Sequence, residues 1–470
     1  MSEVNLQRTV SGLEINYRMV LGLLALAGEP MGRKRIHECV KPLFDASCTD
    51  SAVGEDLTFL RASGLIHEKT GRGFVIDEGA AWPALKAALD DENLENLGYA
   101  YLHETPLRFD WQNKPVLRSY RQGVALLRLA LLTGKREDHV LPLLDACLRC
   151  HEAAYLHPLV EICARPFEPM LMNLINPHLR DDVLAVLIDH VQREPVAAPA
   201  IRAYTEDFVA QDPPLMDLRF ALAEHLILCG RLDDALALVQ EMDDSPALLY
   251  RSVVLLLRDH IDEALAGFDA ALKLLRRETG KRKQVFAGIG GHLYVAALLR
   301  RGDAKHQKAV EGYLDSATRA VQSHDTAVYQ QLSMLRQIRG GTVDAEVLPS
   351  RNWETALQPV LFRALLHWWL GMPQLSGQRA RLEEALAQSE AAGFDFLSAQ
   401  LAGLLGQLGG ISFEQRAIAL RHQHRFTDMT HWFEREQPWE RQLNALLNLQ
   451  PAVNVEVVTE TRMAWLIRYD

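Results

Sequence analysis

Between residues 215 and 299 apolar side chains recur three and four positions apart, the period of helices that bury one face. Residues 215–229, 232–242 and 245–257 read as successive helices, with Gly230 as a break. A fourth helix begins at Ile261-Asp262 and is closed by the stretch Ala271 to Lys283. In it Ala264, Phe268 and Ala271 lie four and three apart and share a face, where small residues let two helices approach closely. The pattern continues through 286–299, 305–323, 327–339, 353–370, 378–392 and 394–408, with Gly340-Gly341 and Gly409-Gly410 as breaks.

Ala235 and Ala264 hold the same place in successive hairpins, 29 residues apart. A regular tetratricopeptide period is about 34 residues, so the repeats are degenerate. Residues 211–450 are therefore expected to form a TPR-like α-solenoid, whose groove holds another protein or another part of the same chain.

The N-terminal pattern is different. Residues 15–27 form an apolar helix ended by Gly28-Glu29-Pro30, and 33–43 a second. Ser51 is the expected cap of a third, over 52–62, stopped by Ser63-Gly64. Two short strands, 65–69 and 74–76, flank Thr70-Gly71-Arg72-Gly73 as a glycine turn. Three helices and a hairpin predict a winged helix-turn-helix-like module over 1–80, with Leu57, Leu60, Leu65 and Ile66 as core. Such modules read DNA with the third helix and the wing. Here Asp50, Glu55 and Asp56 oppose phosphate, while Arg61, Lys69 and Arg72 favour it, so a packing or protein-contact role competes with DNA binding.

Residues 81–210 read as irregular helices punctuated by proline, with a strong amphipathic helix over 116–132. The tail changes character. Residues 453–458 and 462–468 read as two strands, so 451–470 is expected to open a β-rich segment. A lone hairpin is marginal in water, which makes the chain an expected N-terminal fragment of a longer protein. The overall expectation is a mainly α protein with a short C-terminal β hairpin.

Charge sharpens the picture. The 470-residue chain carries a formal net charge of −11, which argues against wholesale coating of nucleic acid or anionic membrane. Yet Lys273, Arg276, Arg277, Lys281, Arg282 and Lys283 follow one another at the end of the fourth helix, opposed only by Glu278. Arg300, Arg301, Lys305 and Lys308 stand nearby in sequence. The run is either a solvated helix end, where cations are favourable, or a contact for nucleic-acid phosphate or an acidic domain.

Met1 to Asn16 lacks an apolar signal core, and the apolar run 19–27 is far too short to span a bilayer. Six cysteines in 470 residues make no disulfide framework. A cytoplasmic protein without a membrane partner is expected.

Catalytic motifs are weak. Thr279-Gly280-Lys281-Arg282 has the Gly-Lys of a phosphate loop, but Leu275 stands for its first glycine and Arg282 for its hydroxyl. Gly288 to Gly291 follows no strand. Cys147-Leu148-Arg149-Cys150-His151 matches the short haem-attachment pattern, and with His157 and Cys163 offers zinc ligands. Residues 143–163 also read as helix, where these cysteines are small core residues. His367, His422, His424 and His431, beside Trp368, Trp369 and Trp432, are explained as packing or solvated groups. No catalytic, metal-binding or cofactor-binding residue is assigned.

The stretches Ala264-Leu265-Ala266-Gly267-Phe268, Leu274 to Lys283 and Leu293 to Leu299 resemble the N-terminal region of bacterial Swi/Snf-type helicase-like ATPases. Glu460 to Leu466 looks like the start of the β-rich segment leading toward their motors. The resemblance spans roughly residues 210–470. It implies a DNA-translocating parent protein whose ATP and Mg sites lie in motor domains absent from this chain. No Walker lysine or Asp-Glu-x-His box can be carried over. The chain would then be a non-catalytic scaffold binding DNA, the motor or a partner protein. The alternatives are a stand-alone TPR-type adaptor or transcription regulator, and a metal enzyme built on the cysteine and histidine cluster.

Overall fold

Nine consecutive buried residues, Met19–Ala27, make the apolar run at 15–27 the helix around which the first half of the chain packs. The computed structural model describes residues 3–44, 48–150, 156–193, 198–211, 216–286, 288–301, 303–321, 379–407 and 410–427. Those residues are mainly helical and divide into two compact units, Met1–Arg180 and Asp181–Asp470. The strands expected at 453–468 and the helices expected at 327–339 and 353–370 lie outside the described residues.

The first unit opens with α1 (Glu3–Ser11), α2 (Ile15–Ala27), α3 (Arg33–Val40) and α4 (Asp50–Ala62), then β1 (Ile66–Lys69) and β2 (Gly73–Ile76). It continues with α5 (Glu78–Asp90), α6 (Leu94–Glu104), β3 (Arg108–Phe109), β4 (Pro115–Val116), α7 (Tyr120–Leu132), α8 (Glu137–Arg149), α9 (Pro158–Cys163) and α10 (Pro169–Leu174). β1 and β2 pair antiparallel, Lys69 opposite Gly73, and Met31 exchanges two 2.8 Å backbone bonds with Phe74. Gly73 is required there, because its φ is +106° and a Cβ would collide with the Met31 backbone. Leu57, Leu60, Leu65 and Ile66 are buried as expected.

This module does not close on itself. α2 also packs on α5, α6 and α7. Arg128 of α7, buried, donates to the carbonyls of Ala25 and Leu26 at 3.1 and 2.6 Å. A cation thus satisfies the orphan acceptors at the C-terminal end of α2.

Two helix starts differ from expectation. Thr49, not Ser51, caps α4, its hydroxyl accepting from the Ala52 amide at 3.2 Å. α7 begins at Tyr120 rather than 116, because Pro115 and Val116 pair as β4 and Ser119 provides the cap.

α11 (Pro177–Arg193) runs across the division. The second unit contains α12 (Ala198–Gln211), α13 (Met216–Leu228), α14 (Leu232–Val239), α15 (Ser245–Leu257), α16 (Ile261–Thr279), α17 (Gly288–Arg301) and α18 (Ala304–Val321). After residues outside the description come α19 (Arg379–Ala391), α20 (Asp395–Gln407) and α21 (Ile411–His424).

α13/α14, α15/α16 and α17/α18 are consecutive packed pairs. Ala264, Phe268 and Ala271 are fully buried, as their spacing requires. A Cβ at Gly267 would press on the Ser252 hydroxyl and lie 3.3 Å from its Cβ, so α15 and α16 approach as closely as glycine allows. Gly290 plays the same part between α17 and Leu249 of α15. Across the pairs, the buried Glu224 carboxylate of α13 accepts from the Tyr250 hydroxyl of α15 at 2.8 Å and the Ile289 amide at the start of α17 at 3.2 Å.

The pairs are not one simple linear series. α20 packs on α13, the Phe394 ring lies edge-on to His225 at 5.4 Å, and the Thr427 amide donates to the Leu257 carbonyl. α21 has no counterpart in the expected pattern. It buries only Ala417, so its apolar periodicity is faint.

Two stability experiments follow from this packing. Glu224→Leu removes the acceptor of the Tyr250 hydroxyl and the Ile289 amide and should cost about 3 kcal/mol, whereas Glu224→Gln, which keeps an acceptor, should cost about 1 kcal/mol. Equal costs in urea unfolding would remove the bridging role. Gly267→Ala should destabilise the wild-type chain and become neutral or stabilising in a Ser252→Ala background. That coupling is on the order of 1 kcal/mol in a double-mutant cycle.

Candidate anionic-ligand interface

The cationic run sits where α16 ends. Lys273, Arg276 and Arg277 are three and four apart, opposite the buried face of Ala264, Phe268, Ala271 and Leu272, and all three are exposed. Gly280 terminates the helix in the left-handed conformation, φ +65°. Lys281, Arg282 and Lys283 follow, also exposed.

The loop is anchored just beyond them. Val285 and Phe286 are buried, the Phe286 amide donates to the Tyr313 hydroxyl at 2.8 Å, and the Gln284 amide group donates to Thr279 Oγ1 at 2.8 Å. The six cations therefore stand on a fixed helix end, not on a long free loop.

Carboxylates that are remote in sequence are close here. Glu278 accepts from the Ser245 backbone and hydroxyl at 3.3 and 2.5 Å, which brings the start of α15, with Asp243 and Asp244, to the same end of the hairpin. Lys283 Nζ lies 3.6 Å from Asp315. Asp244 accepts from the Ala247 amide as a helix cap, and Asp243 is 3.6 Å from Arg251. Asp244 is a helix cap and Asp315 is paired, whereas the Asp243 side chain is 99% exposed; the stripe Lys273, Arg276, Arg277 and the pair Lys281, Arg282 outnumber it as the outward charge of this end.

Arg300 and Arg301 do not join them. They end α17, which runs back antiparallel to α16. Arg301 pairs at 2.7 Å with Asp262, in the first turn of α16. Along α16, at about 1.5 Å per residue, Asp262 lies about 16 Å from Lys273 and about 22 Å from Arg277, so Arg301 stands apart from the cluster.

The expected wing contacts, Lys69 at the end of β1 and Arg72 in the turn, are both exposed. The outer face of α4 is not cationic. A groove of about 510 Å³ is lined by Arg33, Ser51, Gly54, Glu55, Thr58 and Phe59. Arg33 is paired with Asp50, and Arg61 with Glu68 at 2.6 Å. The Phe59 ring stacks on Tyr17 at 4.6 Å. Asp56 accepts from Asn16 at 2.9 Å, and burial holds its carboxyl above the usual range.

The other chemistry raised by the sequence disperses. The helix expected over 143–163 is broken: α8 ends at Arg149 and α9 begins at Pro158. Cys147 and Cys163 are buried, and burial pushes each thiol up to about 12. His157 caps α9 through Nδ1. Among the described residues no group of three or more His, Cys, Asp or Glu could hold a metal ion. Gly280 closes a helix rather than opening one, and Gly290 packs against Leu249, so neither glycine cradles a phosphate. His424 pairs with Asp395 at 2.8 Å, and His422 is exposed. His367, His431 and the tryptophans beside them lie outside the described residues.

His225 is the titratable group that the repeat pattern conceals, standing in the apolar run of α13. It is fully buried, and neither ring nitrogen has a hydrogen-bond partner among the described residues. Burial, with Arg202 and Arg231 nearby, pushes its pKa down to about 3.

No protein-family model matches the chain, and no curated protein matches it.

The buried imidazole has a pH consequence. Unfolded, His225 takes up a proton near 6.5; folded, it does so only near 3. Its contribution is intact above the unfolded value and is lost as pH falls, by about 1.4 kcal/mol per unit through that window. Urea unfolding from about pH 7 to about pH 4 should show a steeper loss for wild type than for His225→Leu. Parallel pH profiles would contradict the assignment.

Proposed function

We propose that this chain is a binding scaffold whose second unit is a degenerate TPR-like helical stack offering the end of α16 to the phosphates of duplex DNA. One observation carries the reading: Lys273, Arg276 and Arg277 form an exposed stripe that continues into Lys281 and Arg282 on a chain of net charge −11. Cations held on a rigid end meet a polyanion at lower ordering cost than cations on a loose tail. Phosphate neutralisation of this kind supplies sequence-independent affinity.

The resemblance of residues 210–470 to the N-terminal region of Swi/Snf-type helicase-like ATPases favours DNA as the anion. On that reading the chain is accessory: it selects substrate for, or regulates, motor domains that hold ATP and Mg. We read α2, α3, α4 and the β1–β2 hairpin as a winged helix-turn-helix used for protein contact. Glu55 and Phe59 on the outer face of α4 suit a protein surface better than a phosphate backbone.

The second reading, a TPR-type adaptor or transcription regulator, is favoured by that same α4 face. It predicts that the α16 end takes an acidic protein segment instead of DNA. No described helix is long and apolar enough to cross a membrane, and no membrane partner is proposed.

Reversal of Arg276, Arg277, Lys281 and Arg282 to Glu tests the two. Duplex affinity at constant salt should fall by at least about tenfold. The slope of log affinity against log salt should flatten by about 0.9 for each phosphate that is no longer neutralised. Unchanged affinity and slope would falsify the DNA reading.

A further inference from the structure

The first unit carries a second cationic feature of different character. Between α6 and α7 the chain makes a tight hairpin, Arg108 opposite Val116 and Phe109 opposite Pro115. Its turn is over-determined. Asp110 Oδ1 accepts from the amides of Gln112 and Lys114, both at 2.8 Å, and the Asp110 and Asn113 amides close the backbone at 3.0 Å. Asn113 takes the left-handed conformation, φ +61°, which asparagine tolerates better than most residues. Pro115 is buried, and its carbonyl accepts from Arg149 of α8 at 3.3 Å. The hairpin is therefore held rigidly against the unit.

What it displays is unusual for a turn. Trp111 is 89% exposed, Phe109 56% and Val116 46%. A solvated turn is served as well by polar residues, and large aromatic groups held in water are a mark of a contact surface. Arg108, Lys114 and Arg118 flank the rings, all exposed, and none of them makes an ion pair among the described residues. The one acid of the hairpin, Asp110, has an oxygen committed to the turn.

Two aromatic faces set among three cations match a ligand with alternating π surfaces and negative charges. Unpaired bases on a phosphate backbone have that alternation; the bases of a closed duplex present no such faces outward. Stacking on aromatic side chains, with Arg and Lys tracking the backbone, is the general mode of single-strand binding. We propose that the Arg108–Arg118 hairpin binds single-stranded nucleic acid, with Trp111 and Phe109 stacking on bases and Arg108, Lys114 and Arg118 neutralising phosphates. The site shares no residue with the α16 end and stands or falls separately from it.

The test uses the full chain, a labelled oligo-dT strand and a blunt duplex, read by fluorescence anisotropy. Trp111→Ala should weaken oligo-dT binding by about tenfold, the size of one base stack. Trp111→Phe, which keeps a π face, should recover most of it, and the melting temperature should not move for so exposed a residue. Duplex binding should be unaffected by Trp111→Ala and weakened by the α16 charge reversal, so the two sites report independently. Oligo-dT binding that is absent in wild type, or unchanged in Trp111→Ala, would overturn the proposal. So would an equal loss of duplex binding, or capture by phosphatidylserine vesicles that depends on Trp111 while oligo-dT binding does not.

Discussion

In the second unit one buried acceptor bridges three helices. Glu224 takes a hydroxyl from α15 and a backbone amide from the start of α17, so a single carboxylate on α13 sets the offset of the next two hairpins. A buried carboxylate is expensive unless its oxygens are satisfied, which makes any sliding of the pairs costly. The positive end of the α17 dipole adds to the same constraint. Gly267 and Gly290 then allow the helices to close on that register. With the offset fixed, the end of α16 is a defined place, and the cations on it form a defined surface.

That surface shows how antiparallel helices sort charge. Residues adjacent in sequence across a turn stay together; residues one helix further on are carried to the opposite end. Lys273 to Lys283 span one turn and remain a cluster, while Arg301 is taken back to Asp262. Conversely, Glu278 and Ser245 are 33 residues apart and in contact. The local field therefore differs from the sum of charges along the sequence in both directions.

Helices were legible wherever one face was buried and the other wet. α16, with Ala264, Phe268 and Ala271, follows its spacing closely, and the β1–β2 hairpin follows its glycine turn. The cationic stripe was legible for the same reason, since three and four residue spacing places Lys273, Arg276 and Arg277 together. What the sequence concealed depends on long-range partners. α21 has almost no buried face. Ser51 and Thr49 are equally good caps until Ala52 chooses one. Glu224 and His225 sit side by side in an apolar helix, and only tertiary contacts make one a bridge and the other a buried imidazole with no hydrogen-bond partner among the described residues. Trp111 could have been flagged by its place in a turn rich in Asp, Gln, Asn and Lys, where an indole has no core to reach.

We propose the α16 end as the duplex contact of the second unit. Hydrogen–deuterium exchange of the full chain with and without a duplex oligonucleotide tests it most directly. Exchange should slow from Lys273 through the anchored loop at Phe286, while the opposite end of α16, around Asp262 and Arg301, is unchanged. Slowed exchange that spares residues 273–286 while appearing elsewhere in the unit, or no change anywhere under saturating duplex, would contradict it.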